Sequence, residues 1–220
     1  MAVDVFLSVG RAFTPDQERF IGLLESTLRS QDLAPRTVGR NDFSASTPLR
    51  RIAEVLDRCD GTVVLAYGRT LSTTFVDRPG SEAELREENV QLPTVWNQIE
   101  AAMSYSRGLP LLVVVEDGLR DEGLLESRYD WYVQRVSLTT DALATTEFRG
   151  VLADWATQVK AHAEGRSSNP DKPSVPVDPA DVTVKQLLGA LTVPQLWGAL
   201  GAVGAVLVAV ATLAYKLGSS

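Results

Sequence analysis

The sequence predicts an α/β domain of three layers, with a mainly parallel sheet covered by helices on both faces, followed by a single C-terminal transmembrane helix. Three observations predict it. Residues 3–9 (VDVFLSV), 62–67 (TVVLAY) and 111–115 (LLVVV) are apolar runs of strand length. Segments of helical periodicity alternate with them, the pattern of strands joined by crossover helices. Residues 186–215 contain no charged side chain.

Each element has its own local reason. After the first strand, Thr14-Pro15 opens a helix, with Thr as N-cap, Pro at the first helical position, and Asp16 and Glu18 in the first turn. Phe20, Leu23, Leu24 and Leu28 then share one face up to about Ser30. A short strand is expected at 36–38, then a polar loop, GRNDFSASTP. Pro48 starts the next helix, with Leu49, Ile52, Ala53, Val55 and Leu56 as its apolar face, and Gly61 turns it into the strand at 62–67. Residues 69–92 carry Glu82, Glu84, Glu87 and Glu88 and read as a surface loop with one polar helical turn.

The stretch 93–115 couples the best candidate for chemistry to the most buried strand. Trp96, Ile99 and Met103 recur at helical spacing, with Asn97, Gln98 and Glu100 on the other faces, so 96–105 reads as a short amphipathic helix. Gly108 ends it and Pro110 cannot continue it. Glu100 thus rides on a helix beside a parallel sheet, near where ligands of open α/β sheets bind; the alternative is a solvated helix residue. A partly exposed strand within 129–138 and a last helix from about Thr145 to Ala163 complete the domain, 1–163.

Beyond it, 164–185 is a Pro-rich linker, 186–217 the transmembrane region and 218–220 a tail. Residues 196–215 are long enough to cross a bilayer, with Trp197 and Tyr215 near the ends and Lys216 following. Gly198, Ala202, Ala205 and Ala209, with Gly201 and Gly204 nearby, would let two such helices approach closely, so a homo-oligomer is expected. With no secretory signal at the N-terminus and one Cys, the globular part is expected in the cytoplasm, held to the membrane by a single-pass C-terminal anchor.

Composition removes several classes of function. A net charge of −7 across 220 residues, with no basic stripe, argues against a nucleic-acid partner. One Cys and one His cannot build a zinc cluster, so no metal site is expected. Cys59 reads as a small core residue and His162 as a surface residue near the end of the last helix, unsuited to a Cys–His or Ser–His–Asp arrangement.

Three stretches carry a family resemblance. Val5-Phe6-Leu7-Ser8 resembles the opening strand of Toll/interleukin-1 receptor (TIR) domains. The loop from Gly39, its helix and DRCDGTVVLAY are similar in placement to the TIR loop after the second strand, the helix and the third strand. Trp96-x-x-x-Glu100 resembles the Trp and catalytic Glu of the TIR helix, and the run from Glu100 to Gly108 and Pro110 also resembles nucleoside 2-deoxyribosyltransferases, a flavodoxin-like group. The two differ ahead of the glutamate, where Thr94 and Trp96 stand in place of the Asp and Gly usual in the transferases, which leans the chain towards TIR.

The resemblance implies a flavodoxin-like domain that cleaves an N-glycosidic bond of NAD+ or a related nucleotide after self-assembly, as bacterial antiphage defence proteins do. Glu100 would be catalytic, with no cofactor beyond NAD+ as substrate. A lone carboxylate suits this chemistry, because departure of the base leaves positive charge on the sugar. Ser8, Gly10 and Arg11 either line a phosphate site or form a simple loop; Arg40, Asn41 and Asp42 close over the ligand, contact another domain, or are solvated; Trp96 and Asn97 flank the glutamate as substrate-binding residues. The competing expectation is a non-catalytic module that binds a nucleotide signal and oligomerises through its transmembrane helix.

Overall fold

The computed structural model describes residues 2–42, 48–120, 122–127 and 131–168. Five strands form one sheet in the order β2-β1-β3-β6-β7, each neighbouring pair parallel: β1 (Val3–Val9), β2 (Leu33–Arg36), β3 (Thr62–Ala66), β6 (Leu111–Glu116) and β7 (Tyr132–Val136). That is the flavodoxin-like strand order, which reverses direction between β1 and β3. Helices α1 (Pro15–Ser30) and α4 (Thr146–Ser168) cover one face, and α2 (Pro48–Leu56) and α3 (Val95–Tyr105) the other.

Strand alternation sorts the core into layers. Val5 and Leu7 of β1, with Val63 and Leu65 of β3, pack against Phe20, Ile21 and Leu24 of α1 and Leu152, Trp155 and Val159 of α4. Phe6 turns to the opposite face, onto Ile52, Val55 and Leu56 of α2. Ser8 follows Phe6 on that face and is fully buried. Thr14 caps α1 as expected, accepting from the Gln17 amide at 3.2 Å, while the Gln17 side chain accepts from the Thr14 amide at 3.3 Å.

Three local expectations are corrected. Residues 69–92 are not a loop with a helical turn but an antiparallel hairpin of β4 (Thr70–Asp77) and β5 (Leu85–Leu92). Most of its residues face water on both sides, so the apolar alternation that marks a half-buried strand is missing. The second strand begins earlier than 36–38, at Leu33; it lies at the sheet edge, where Pro35 is tolerated. The last helix continues past Ala163 to Ser168, because Arg166 bonds the Asp60 carboxylate at 2.7 Å and the carbonyls of Asp57, Arg58 and Cys59.

His162, expected on the surface, faces Asp60 at 3.0 Å, and Asp60 is buried. Cys59 is a core residue, its thiol pushed up to about 12 chiefly by burial. Among the described residues no helix is long and apolar enough to cross a membrane. The transmembrane helix expected at 196–215, and the linker beyond Ser168, lie outside the described residues.

Candidate active site

Helix α3 organises the site, and its inner face is polar. Thr94 caps it, accepting from the Trp96 amide at 3.4 Å. Asn97, Ala101 and Ser104, spaced four and three apart, are the buried positions and face the sheet. This corrects the amphipathic reading of the sequence at two positions, Asn97 turning inward and Trp96 outward, while Ile99 and Met103 are partly buried. Trp96 is 40% exposed and Val95 is 72% exposed, whereas Met103 packs beside Phe6 and Ile52. Ala101 lets the helix lie close, and hydrogen bonds replace apolar contact on either side of it.

One turn brings those bonds to the carboxylate. The Asn97 amide nitrogen lies 3.2 Å from the Ser8 hydroxyl and 3.3 Å from the Leu65 carbonyl. The Thr62 hydroxyl donates to the Ser104 hydroxyl at 2.9 Å, and Ser104 donates to the Glu100 carbonyl at 2.7 Å. Between Asn97 and Ser104, Glu100 is partly buried, and Ser8 donates to its Oε2 at 2.5 Å. Among the described residues no cation pairs with Glu100 and Oε1 has no partner. Burial pushes the carboxyl up to about 7, against the opposing pull of the Ser8 hydrogen bond. Such a group holds a substantial fraction of both protonation states near neutrality, the property of carboxylates tuned for chemistry.

A pocket of about 290 Å³ opens where the carboxyl ends of β1 and β3 diverge, the usual ligand position in this strand order. Gly10, Arg11 and Phe13 line it from the loop after β1, Tyr67 and Arg69 from the end of β3, and Thr94 and Asn97 from α3. Tyr67 donates to the Gly10 carbonyl at 2.6 Å, joining the two loops, and its burial pushes the phenol up to about 12. Asn97 is shared by the pocket and the Ser8–Glu100 pair.

Of the residues expected at a site, Ser8, Asn97 and Glu100 come together, and Gly10 and Arg11 reach the adjoining pocket. Trp96 points outward from the same helix and does not line that pocket. The loop after β2 goes elsewhere. Arg40 pairs with Glu18 at 2.7 Å and Glu25 at 2.9 Å, which raises its own affinity for a proton and holds Glu18 below the usual carboxylate range. Asn41 folds back on its own loop, accepting from the Thr37 amide at 2.7 Å and donating to the Pro35 carbonyl at 3.0 Å. Asp42 pairs with Arg51 and Arg58. Sequence reasoning missed Arg69, Phe13, Tyr67 and Thr94 as pocket residues. Only Thr94, a capping residue type that follows Pro93 just before the helix, marks the spot locally.

No protein-family model matches the sequence, and no curated protein matches it. Among solved structures, the chain is similar to a CMP N-glycosidase of Clostridium botulinum, with 11% identity, a TM-score of 0.40, and coverage of 63% of this chain and 92% of the other. It is also similar to a 2-deoxyribosyltransferase of Leishmania mexicana, with 15% identity, a TM-score of 0.41, and coverage of 70% and 97%. The TIR domains of the activated Roq1 resistosome give 15% identity, a TM-score of 0.34, and coverage of 74% and 84%. All three are loose likenesses of overall shape, and flavoproteins share it to a similar degree.

Proposed function

We propose that the domain cleaves the N-glycosidic bond of a nucleotide, NAD+ or a relative of it, with Glu100 as the catalytic carboxylate. The single observation that carries this is the state of Glu100: half-buried, aligned by Ser8 through Oε2, and without a counter-ion among the described residues. As the C1′–N bond breaks, its electron pair leaves with the base and the sugar becomes electron-poor at C1′. The Glu100 carboxylate stabilises that charge or bonds to it; water then adds at C1′ and releases its proton. A cationic nicotinamide leaves as a neutral molecule, so no second acid is needed.

In the same proposal the segment 196–215 tethers the domain to a membrane with its catalytic part in the cytoplasm, neighbouring copies assemble, and depletion of the substrate serves antiphage defence. One observation favours a second reading, a nucleotide-binding module without turnover: the lining of the pocket stops at Asn97, one turn short of Glu100. The deciding experiment reconstitutes the full chain at high density in liposomes and follows release of nicotinamide from NAD+ and of free base from other nucleotides. Product that disappears in Glu100→Gln supports the enzyme. Nucleotide binding with no product at any density replaces it with the binding module.

A further inference from the structure

We infer that the pocket at the carboxyl ends of β1 and β3 is a two-arginine clamp for the phosphate of a nucleoside 5′-monophosphate, with Arg11 and Arg69 as its cationic walls. This rests on the glycosidase reading for the nucleoside half of the ligand; the phosphate half stands on the pocket itself.

Charge is the first argument. The chain is acidic, and its arginines are mostly matched to carboxylates, as Arg51 is to Asp42, Arg107 to Asp57 and Arg166 to Asp60. Arg11 and Arg69 have no carboxylate partner among the described residues, and both line this one pocket. No acidic side chain lines it. Two arginines without a carboxylate partner, lining one cavity whose lining holds no acidic residue, suit an anion.

Arg69 is also held in place. Its backbone amide donates to the Leu92 carbonyl at 2.9 Å, closing the root of the β4–β5 hairpin. Its Nη1 donates to the Thr94 hydroxyl at 3.3 Å, and its guanidinium lies 6.0 Å from the centre of the Phe13 ring. The hairpin therefore does not simply interrupt the chain between β3 and α3. It sets Arg69 against the cap of the helix that carries Glu100. Arg11 follows Gly10, whose carbonyl the Tyr67 hydroxyl bonds, so the loop that carries it is tied to the end of β3 beside the same pocket.

Size narrows the ligand. A pocket of about 290 Å³ sits at the lower end of the range for small-molecule sites, roughly 300–1,000 Å³. That suits one nucleotide, and among NAD+ and its relatives it narrows the ligand to a mononucleotide. With the phosphate between the arginines, the rest of the molecule meets Asn97, the residue that leads through Ser8 to Glu100.

The test measures binding, without turnover, to the full chain carrying Glu100→Gln, by calorimetry with nicotinamide mononucleotide, nicotinamide riboside, AMP, adenosine, NAD+ and inorganic phosphate. For at least one base the monophosphate binds more tightly than its nucleoside, by on the order of tenfold to a hundredfold. Inorganic phosphate competes with it. R11Q and R69Q each reduce the difference, the double variant erases it while far-ultraviolet dichroism and melting stay unchanged, and R69K retains part of it. Equal affinity for monophosphate and nucleoside, no binding of either monophosphate, or an advantage that survives the double variant overturns the clamp. Tighter binding of NAD+ than of both monophosphates overturns the mononucleotide assignment. If R11Q or R69Q fails to fold, phosphate competition against the Glu100→Gln chain decides alone, and absence of competition sinks the proposal. Failure of the enzymatic reading leaves these results untouched, since none needs product.

Discussion

Ser8 on β1 and Glu100 on α3, separated by 92 positions in the chain, meet through a 2.5 Å hydrogen bond in which the serine hydroxyl donates to the carboxylate. The serine is fully buried and takes a second bond from Asn97, so the acid is aimed by a partner that is itself held. A carboxylate held this way has properties that can be measured separately from the catalysis proposed for it.

The rate of base release should rise with pH through about 7 as Glu100 ionises, because burial has moved its proton affinity up into that range. The Ser8 hydrogen bond opposes that rise, so Ser8→Ala should shift the rising limb to higher pH. A limb that moves down, or stays in place, means that the hydroxyl does not serve the ionised carboxylate.

Glu100→Gln should stabilise the fold at alkaline pH while removing activity. The acid's affinity for a proton is raised from 4.5 to about 7 on folding, so the native chain binds more protons than the unfolded chain between those values. Wild-type stability therefore falls as pH climbs through that window, and the neutral amide escapes the loss. We expect Gln to add about 1–3 kcal/mol at pH 8 and little at pH 4, read from urea midpoints at the two pH values.

Asn97→Ala should weaken both fold and chemistry. It removes the buried donor shared by Ser8 and the Leu65 carbonyl, at a cost of about 1–3 kcal/mol. Urea denaturation gives the stability, and a larger relative loss of kcat than of stability in Ser8→Ala would separate alignment of the acid from support of the helix.

Arg120→Ala should loosen the hairpin and leave the main sheet intact. Arg120 pairs with Glu87 and with Asp77 at 3.2 Å, and lies 4.4 Å from the centre of the Phe75 ring, so it joins both strands of the hairpin to the loop after β6. Hydrogen exchange should quicken at amides of β4 and β5 and stay unchanged in β1, β3 and β6. Uniform acceleration would mean that the hairpin is integral to the core.

What the sequence reveals and conceals follows from where each residue's information lies. Leu111 to Val115 announce a strand covered on both faces because every side chain there must be apolar, and Thr14-Pro15 announces a helix start because the signal is local. The β4–β5 hairpin is invisible to that logic, since water on both sides permits Thr, Ser, Glu and Asn in any order. The direction of α3 is concealed for the opposite reason. Trp96 looks like a core residue, yet the sheet beneath offers Ser8, Thr62 and the Leu65 carbonyl, and Asn97 and Ser104 turn inward to meet them. Glu100 was legible as a candidate, and so was Arg11. Arg40, Asn41 and Asp42 occupy a loop whose composition is the same whether it greets a ligand or, as here, bonds to its own neighbours. Arg69 is one arginine in a polar stretch, and only the meeting of hairpin root and helix cap gives it a place.

Apolar packing fixes the roll of a helix over a sheet less sharply than hydrogen bonds do, because each dispersion contact is weak and tolerant of angle. The contacts of Asn97 and Ser104 are not: a modest roll of α3 would strip the Leu65 carbonyl and the Thr62 hydroxyl of their partners together. Two directional pairs at once therefore fix the roll of α3, like a key with a single notch, and with it the place from which the carboxylate projects.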